Sequence, residues 1–258
     1  MVVQRFLKKL YNILYMVEYK NKFWKIVNEV IDKSNIILEI LDARFVELSR
    51  NREIEDKCEG KKFIFVLNKC DLVSKKEMEK WKRKLKNCVF VSATQRYGTT
   101  LLKKKIIEFA DGKNVTIGVL GYPNTGKSSV INAICGKKKA RTSASSGFTK
   151  GKQLLRMAKG VFLLDTPGVY PYKEKGSKLA LIGAEDFTRV KDPDLVVLEL
   201  LEEQGKRIKE FYGVKGEGEE VIENIAKKLH KLKKGGELDI IAASKVILKD
   251  WQRGKIII

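Results

Sequence analysis

The sequence predicts a three-layer α/β fold, in which a parallel sheet carries a phosphate-binding loop, followed by a small all-helical C-terminal domain. Three observations support this fold class. Short apolar runs recur along the chain and end in polar residues, as strands covered on both faces do. One of these runs leads into a glycine-rich stretch and then into a helical pattern. Towards the C-terminus, apolar residues recur at the spacing of an amphipathic helix.

The glycine-rich stretch, Gly121 to Ser129, fits the phosphate-loop pattern G-x-x-x-x-G-K-[ST]. Its glycines let the backbone wrap closely around phosphate oxygens, and the amides at the start of the following helix meet negative charge. We expect Lys127 to bridge the β- and γ-phosphates and the Ser128 hydroxyl to bind Mg²⁺. An ordinary glycine turn is the structural alternative, which the strand before the loop and the helix after it disfavour. The expected nucleotide-binding residues of this loop are Asn124, Thr125, Gly126, Lys127, Ser128 and Ser129.

Each remaining element follows from its own pattern. Residues 1–34 are expected to form a helical extension, residues 35–176 the α/β domain and residues 177–258 the helical domain. Strands are expected over residues 36–41, 63–67, 89–91, 115–120 and 161–164, with helices over 47–59, 75–86, 101–109 and 130–135. Two helical stripes are expected in the C-terminal core: Val221, Ile225, Leu229 and Leu232 in one, and Ile240, Ile241, Ser244, Ile247, Leu248 and Trp251 in the other.

A second nucleotide motif follows the second expected strand. Asn68, Lys69 and Asp71 form the pattern N-K-x-D, which selects guanine in Ras-like domains. The Asp71 carboxylate can accept from both N1–H and the exocyclic amine of guanine, whereas adenine lacks the matching donors. We expect Asn68 to connect the base to the phosphate loop, and the aliphatic stem of Lys69 to lie on the ring.

Two more strand ends carry candidate nucleotide contacts. The third strand leads to Ser92, Ala93 and Thr94, which is similar to the S-A loop whose backbone amide contacts the guanine oxygen in G domains. The last strand leads into the D-x-x-G pattern from Asp165 to Gly168. This pattern would bring Asp165 to Mg²⁺ through water and the Gly168 amide to the γ-phosphate.

The segment between the phosphate loop and the last strand is basic and rich in serine and threonine. We expect residues 137–151 to form a mobile loop. Thr149 is our candidate for the switch threonine that closes on Mg²⁺ and the γ-phosphate. Thr142 is the competing choice, and either residue could be only a loop hydroxyl. The expected magnesium ligands are therefore Ser128, Thr149 and Asp165.

The formal charge of +21, from 53 lysines and arginines against 32 acidic residues, points to a polyanionic partner. Two stretches carry most of the excess. Residues 75–105 hold eleven basic and two acidic residues, and residues 136–160 hold eight basic residues and no acidic one. A lysine-rich surface that is only solvated usually mixes both signs, so we expect nucleic acid, and less so an anionic membrane, as the partner.

The cysteine pattern bears on the compartment. Cys58, Cys70, Cys88 and Cys135 show no C-x-x-C spacing and are accompanied by a single histidine, His230. This argues against a zinc site or a disulfide framework and favours a reducing compartment. No apolar run approaches 18 residues and there is no convincing signal peptide, so we expect no membrane span and a cytoplasmic protein.

The motifs are those of a P-loop G domain in a rotated order, because the guanine-selecting motifs precede the phosphate motifs. The chemistry needs only that the loops converge at the carboxyl ends of neighbouring parallel strands. The sequence resembles the YlqF/YawG-type family of circularly permuted GTPases over nearly its whole length. Outside the nucleotide motifs, the resemblance includes D-A-R at 42–44, S-R-N at 49–51, I-G-A at 182–184, D-P at 192–193 and L-K-D-W-Q-R-G-K at 248–255.

This resemblance implies a protein that binds GTP and GDP with Mg²⁺ and hydrolyses GTP during assembly of the large ribosomal subunit. It also implies that the C-terminal domain contacts rRNA. We expect a monomer when the protein is away from the ribosome. Two other functions stay open: a GTP-binding regulator of a protein or membrane complex, and an RNA-binding protein that binds GTP but barely hydrolyses it.

The catalytic group is left open. Val169 stands where Ras-like enzymes place the glutamine that orients the attacking water, and the N-terminus has no histidine of the kind that bacterial relatives are thought to use. We therefore expect slow intrinsic turnover. Asn124 matches the phosphate-loop asparagine of potassium-dependent GTPases, where a bound K⁺ would offset transition-state charge, and Thr149 is the other candidate. An asparagine that only stabilises the loop is the alternative.

Overall fold

The computed structural model of the protein describes residues 23–136, 153–165 and 176–257. Its centre is a six-stranded sheet in the order β3-β2-β1-β4-β6-β5. The five strands β3, β2, β1, β4 and β6 lie side by side and are parallel. Strand β5 lies at the edge of the sheet and pairs antiparallel with β6. The strands are β1 (Ile36–Asp42), β2 (Lys62–Asn68), β3 (Cys88–Val91), β4 (Val115–Leu120), β5 (Gln153–Ala158) and β6 (Val161–Asp165).

The five parallel strands are those that the sequence predicts, and the three-layer α/β fold class is confirmed. The edge strand β5 is not predicted by the sequence, because it lies in the basic stretch 136–160 and has no continuous apolar run. Leu155 is buried against the sheet, whereas Leu154 is 58 % exposed. Such alternation is typical of an edge strand that is covered on one face only.

The helices of the α/β domain connect these strands. They are α1 (described over residues 23–33), α2 (Val46–Ser49), α3 (Arg52–Lys57), α4 (Lys75–Lys84), α5 (Thr99–Ala110) and α6 (Lys127–Cys135). The single polar helix expected over residues 47–59 is wrong, since the chain forms two short helices there. Arg50 is extended, and the Asn51 side chain accepts from the Ile54 amide (3.2 Å), which starts a new helix.

Helices cover both faces of the sheet. On one face, α5 and α6 bring Leu102, Ile106 and Val130 onto the central strands. On the other face, α1 and α3 bring Val27 and Ile54 into a second apolar cluster. Strand β1 lies between these layers and is buried at every position, as a central strand of a parallel sheet is expected to be. Residues 1–22 of the expected helical extension and the expected loop over residues 137–151 lie outside the described residues.

The C-terminal region is helical, as the sequence predicts. Its helices are α7 (Gly176–Leu181), α8 (Pro193–Tyr212), α9 (Glu219–Lys228) and α10 (Ile240–Gln252). Most residues of both expected stripes are at least partly buried in one core. Two are not: Leu232 is 53 % exposed because α9 ends at Lys228, and Ile241 is 41 % exposed on the outer side of α10. In the part of the chain that the structure describes, no helix has both the length and the apolar character to cross a membrane.

The C-terminal core extends into the loops of the α/β domain. Phe45, which follows β1, and Tyr122, which follows β4, are buried among residues of the C-terminal helices. The ring of Phe45 meets that of Trp251 edge to face, with 5.0 Å between centroids. The Trp251 indole N–H also donates to the Leu181 carbonyl (3.0 Å). The helical region therefore packs against the carboxyl edge of the sheet, where the expected nucleotide loops lie.

Candidate nucleotide-binding site

The predicted site loops leave the sheet at one edge. Strands β1, β2, β3, β4 and β6 are parallel, so their carboxyl ends all lie on the same side. The chain moves outward from β1 to β2 and β3, and then returns to place β4 on the other side of β1. The loops after β1 and β4 consequently diverge, which opens a crevice of the kind in which α/β proteins bind ligands.

The phosphate loop has the backbone conformation that its glycines permit. Gly121 has φ 140° and Gly126 has φ 95°, a region that side chains disfavour. A Cβ atom on Gly121 would also collide with the Ile40 carbonyl of β1, so the loop leaves the sheet too closely for any other residue. The Lys127 ammonium lies beneath the loop and donates to the carbonyls of Gly121 (2.9 Å) and Tyr122 (2.8 Å).

The remaining phosphate-loop residues lie around the same turn. Thr125 is fully buried, and its hydroxyl donates to the Tyr122 carbonyl (2.9 Å). Ser128 and Ser129 are half-buried in the first turn of α6. Asn124 has a left-handed backbone (φ 61°), and its side-chain amide donates to the Gly183 carbonyl of the C-terminal region (2.6 Å). The loop is therefore held by its own carbonyls and by the helical region.

Asn68 connects three of the predicted loops. Its amide nitrogen donates to the Thr125 carbonyl in the phosphate loop (2.8 Å), and its amide oxygen accepts from the Ala93 N–H (3.1 Å). Ser92 is buried and lies within 3.3 Å of the Thr94 hydroxyl, which keeps the S-A loop compact. The structure thus brings the N-K-x-D, S-A and phosphate loops into direct contact.

A cavity of about 480 Å³ opens beside these loops. Its wall on the sheet side is formed by Asn68, Lys69, Asp71, Ala93 and Thr94, and its floor includes Asn124, Gly126 and Ser129. The Asp71 Oδ1 atom is buried and has no hydrogen-bond partner among the described residues. A buried acceptor without a donor is costly, so this atom marks a place where a ligand with N–H groups fits.

The triplet at residues 42–44 forms a buried ion-pair network next to the cavity. The Asp42 carboxylate accepts from the Arg44 guanidinium (2.7 and 3.0 Å) and from the Lys69 ammonium (2.8 Å). Burial alone would raise the pKa of Asp42, but the two cations hold it below its usual range. Burial lowers the pKa of Lys69, an effect that Asp42 opposes. Arg44 also donates to the Trp251 carbonyl (2.5 Å), so the network joins the N-K-x-D loop to α10.

Sequence reasoning missed part of this site. It assigned no role to Asp42 and Arg44. The signal that could have identified them is an aspartate at the carboxyl end of β1, next to the strand that carries the N-K-x-D loop. It also missed the opposite wall of the cavity, to which Phe187 and Arg253 of the C-terminal region contribute. Arg253 lies within the L-K-D-W-Q-R-G-K stretch that carries the family resemblance, but that stretch does not show that it faces the nucleotide loops, since this depends on how the helical region packs.

Some predicted site residues are only partly described or fall outside the description. Asp165 is the last residue of β6, which pairs with β4 directly before the phosphate loop. Thr149, its rival Thr142, Gly168 and Val169 lie outside the described residues. His230 is exposed after the end of α9 and does not line the cavity.

The fold and the site together define a class of protein. A phosphate loop after β4, an N-K-x-D loop after β2 and an S-A loop after β3 meet at one edge of a parallel sheet, which is the arrangement of a P-loop G domain. The chain reaches the guanine-selecting loops before the phosphate loop, so the G domain is circularly permuted.

Comparisons with known proteins agree with this class. A family profile described as RsgA GTPase matches residues 15–173, more than half of the chain, and the chain belongs to that family. A second profile, described as 50S ribosome-binding GTPase, matches residues 116–238. The GNP-bound crystal structure of YlqF from T. maritima superposes with a TM-score of 0.66 and 26% identity, covering 91% of this chain and 94% of that one. The resemblance to circularly permuted GTPases is confirmed.

Two curated relatives are similar over most of this chain. A GTP-binding protein of Methanocaldococcus jannaschii is 43% identical over 244 residues, which cover 90% of this chain and 65% of the relative. Nucleolar GTP-binding protein 2 of Saccharomyces cerevisiae is 34% identical over 253 residues, which cover 91% of this chain and 52% of the relative. The chain therefore spans between half and two thirds of the length of these relatives.

Proposed function

We propose that the protein binds guanine nucleotides, hydrolyses GTP to GDP and phosphate, and acts in assembly of the large ribosomal subunit through contacts with rRNA. The observation that carries nucleotide binding is the buried, unpaired Asp71 oxygen in a cavity that the phosphate loop also lines. Guanine supplies two N–H groups to such a carboxylate, and adenine does not. The ligand that best satisfies this cavity is thus a guanine nucleotide.

The residues around Asp71 have complementary roles in this proposal. The Lys69 stem lies along the base, because its ammonium is held by Asp42 (2.8 Å). Asn68 fixes the base loop to the phosphate loop. The Ala93 N–H donates to the Asn68 side chain, so we assign the contact with the guanine oxygen to the backbone N–H of the neighbouring Thr94. The Ser92 hydroxyl supports this loop through its contact with the Thr94 hydroxyl. This arrangement would hold the base before hydrolysis and after it.

The phosphates belong at the turn from β4 into α6 in our proposal. The amides from Thr125 to Ser129 start the helix and meet the phosphate oxygens, as helix N-termini do with anions. Lys127, which now donates to two loop carbonyls, would turn to the β- and γ-phosphates. The amide of Gly168 is our candidate for the γ-phosphate contact.

The proposed Mg²⁺ ligands are Ser128, Thr149 and Asp165. Ser128 lies in the first turn of α6, and Asp165 ends the strand beside β4, so both positions adjoin the phosphate loop. Hydroxyl and carboxylate oxygens are the donors that Mg²⁺ prefers, and the donor set fits the ion. When bound, Mg²⁺ neutralises charge on the β- and γ-phosphates.

Asn124 is our candidate for a potassium ligand. Its amide nitrogen donates to Gly183, which supports a structural role for that end of the side chain. We assign its carbonyl oxygen to K⁺, where the cation would offset negative charge that develops during hydrolysis. Turnover measured in KCl and in NaCl, for the wild type and Asn124→Ala, tests this assignment. Identical wild-type rates in the two salts would remove K⁺ from the mechanism.

Contact with rRNA is proposed from the charge of helix α4. This helix follows the N-K-x-D loop and has no buried residue, so its basic side chains are exposed to a partner. Lys80 also donates to the Glu77 carboxylate at 3.0 Å, a pair on the surface of the helix. The Trp81 ring lies near the ammonium groups of Lys80 (5.8 Å) and Lys84 (5.0 Å). The profile described as 50S ribosome-binding GTPase and the nucleolar relatives support a ribosomal partner.

Guanine selectivity is tested with Asp71→Asn. We expect this variant to bind GDP about 100-fold more weakly, because two hydrogen bonds to a charged acceptor are lost. It should bind the xanthine nucleotide better, since xanthine carries an acceptor where guanine carries its amine. Asp56→Asn, at an exposed aspartate of α3, is the matched control. Equal affinity of the wild type for ADP and GDP contradicts the assignment.

The ribosomal partner is tested by sedimentation with purified subunits over a salt series. We expect binding to the large subunit that is tighter with a non-hydrolysable GTP analogue than with GDP, and that weakens steeply with salt. Replacing Lys80, Lys82 and Lys84 by Gln should lower the salt slope by up to about three. The control replaces Lys25, Lys33 and Lys57, which are exposed on α1 and α3. If neither nucleotide state binds a subunit, the regulator alternative is favoured.

Two further properties belong to this proposal. The cysteine spacing, which shows no C-x-x-C pair, favours a reducing compartment, and we propose the cytoplasm. We also propose a monomer when the protein is away from the ribosome. Size-exclusion chromatography with light scattering measures that state directly, and a dimer mass at micromolar concentration would contradict it.

A further inference from the structure

We infer that the C-terminal region forms the second wall of the nucleotide cavity, so that Phe187 and Arg253 contact the bound nucleotide directly. This inference rests on the proposed binding of a guanine nucleotide. The cavity that has Asp71 on its sheet side is lined on the other side by Phe187 and by residues 252–254 at the end of α10. These residues lie more than 100 positions after Asp71 in the chain.

The end of α10 is fixed to the N-K-x-D loop by close packing. Gly254 has φ 72°, and a Cβ atom on it would lie 2.6 Å from the Cδ1 atom of Leu72. Leu72 directly follows Asp71. The backbone of the C-terminal region at Gly254 therefore contacts the loop that we propose binds the guanine base. A side chain at position 254 would be disfavoured by this φ and would force the Leu72 side chain to move.

Gln252 fixes the position of Phe187. Its amide nitrogen donates to the carbonyls of Ala180 and Glu185, each at 2.9 Å. Its amide oxygen accepts from the Phe187 N–H at 3.2 Å. One side chain at the end of α10 thus ties down the loop after α7 from both ends, and Phe187 lies in the cavity wall as a result.

The same loop is held from the phosphate side. The Asn124 amide donates to the Gly183 carbonyl (2.6 Å), and Tyr122 of the phosphate loop is buried in the C-terminal core. Both ends of the site are therefore joined to the C-terminal wall by specific contacts. A wall fixed in this way is part of the site, since it cannot shift without disturbing the loops that bind the ligand.

The chemistry of this wall suits the base and the ribose. The half-buried ring of Phe187 offers an apolar face for a purine, and aromatic side chains stack on bases without regard to sequence. Arg253 is exposed at the mouth of the cavity and can donate to ribose oxygens. The Asp186 carboxylate lines the same wall, which disfavours phosphate there and leaves the phosphates to Lys127.

A consequence distinguishes this wall from residues that sense the γ-phosphate. Because GTP and GDP share base and ribose, changes to the wall should weaken both nucleotides equally. We expect Phe187→Ala to weaken both by about 10-fold, the low end of what aromatic stacking contributes per base. Arg253→Ala should weaken both by about 3-fold, as expected for an exposed hydrogen bond.

The experiment is isothermal titration calorimetry with unlabelled GDP and a non-hydrolysable GTP analogue, since a ribose label would disturb the wall itself. The matched controls are Phe211→Ala and Arg207→Ala, an aromatic and a cation that are exposed on α8 and do not line the cavity. Both controls should bind like the wild type. Phe187→Trp should keep binding within about 2-fold, and Phe187→Leu should not, if the ring stacks on the base.

The outcomes separate this inference from the proposed function. Thermal unfolding without nucleotide shows whether each variant is folded, and Arg253→Ala changes only an exposed side chain. If Phe187→Ala and Arg253→Ala bind both nucleotides like the wild type while Asp71→Asn loses binding, the second wall is refuted and nucleotide binding stands. If the wild type binds neither nucleotide, the proposed function fails and the inference fails with it.

Discussion

Strand β1 buries two carboxylates three residues apart, Glu39 in its middle and Asp42 at its carboxyl end. Their exposed fractions are 1 % and 0 %. Asp42 accepts hydrogen bonds from Arg44 and Lys69 on both of its oxygens. Glu39 accepts one bond, from the Asn51 N–H (3.0 Å), and its Oε2 atom has no partner among the described residues. The two carboxylates are therefore equally buried, but in the described part of the chain Asp42 is paired with two cations and Glu39 with none.

The pKa values of the two groups diverge for this reason. Burial and, to a smaller extent, the nearby Glu55 carboxylate together raise the pKa of Glu39 to about 8. Burial acts in the same direction on Asp42, but two cations outweigh it and hold that pKa below its usual range. The comparison shows that burial alone does not decide the charge state of a carboxylate. The cations paired with Asp42 keep it ionised next to the nucleotide loops, whereas Glu39 is buried without such paired cations in the region that the structure describes.

The largest expected effect is that of removing a cation from Asp42. Arg44→Met deletes the bidentate ion pair and the bond to the Trp251 carbonyl. Asp42 then keeps the backbone N–H of residue 44 (3.1 Å) and the Lys69 ammonium as its donors. We expect the free energy of unfolding, measured with urea, to fall by about 3–5 kcal/mol, as for other broken buried pairs. Affinity for GDP should fall as well, because among the described residues Lys69 is then the single cation that offsets the buried Asp42 carboxylate.

The control for this variant is Arg52→Met. Arg52 pairs with Glu47 at 2.5 Å, but both side chains are more than half exposed. We expect a loss below about 1 kcal/mol and unchanged binding of GDP. Similar losses for the two variants would mean that the Asp42 network is worth no more than a surface ion pair.

A smaller effect, of opposite sign, is expected at Glu39. A carboxyl with a folded pKa of about 8 stabilises the fold most at pH values below its unfolded pKa, and this stability is lost as pH rises towards 8. Wild-type stability relative to Glu39→Gln should therefore fall between about pH 4.5 and pH 8, by at most about 1.4 kcal/mol per pH unit. At pH 8 the variant should therefore be the more stable protein.

Urea unfolding of both proteins at several pH values measures this difference. Glu39→Gln keeps an oxygen for the Asn51 amide, so the variant should fold and should bind GDP within about 2-fold of the wild type. A stability difference that does not change with pH would show that Glu39 is ionised in the folded protein, and the contrast with Asp42 would disappear.

The smallest effect is expected at Asn51, whose backbone N–H donates to the Glu39 carboxyl group. Its side chain caps α3 by accepting from the Ile54 amide, while its own N–H serves Glu39. Asn51→Ala should cost about 1 kcal/mol of folding free energy, the usual value of a cap, and Asn51→Ser should restore most of it. Because the backbone donor remains, the pH dependence due to Glu39 should persist in both variants.

The sequence by itself determined the parallel strands and the loops that follow them. These features are local: a short apolar run of three to six residues indicates a covered strand, and the spacing of Gly121, Gly126 and Lys127, between a strand and a helix, indicates a phosphate loop. The N-K-x-D pattern at Asn68 to Asp71 is equally local. Their convergence could be predicted too, because parallel strands end on one side of a sheet.

Only the tertiary structure decided which residues complete the cavity and which carboxylates are paired. Arg44 and Trp251 meet across 207 positions of the chain, and Gln252 orders a loop 67 to 72 positions before it. The edge strand β5 and the unpaired oxygen of Glu39 likewise depend on what packs beside them. Local patterns indicate how one segment folds. Contacts between distant segments depend on the order of the strands in the sheet and on how the helical region packs against them, and no short stretch of sequence encodes either.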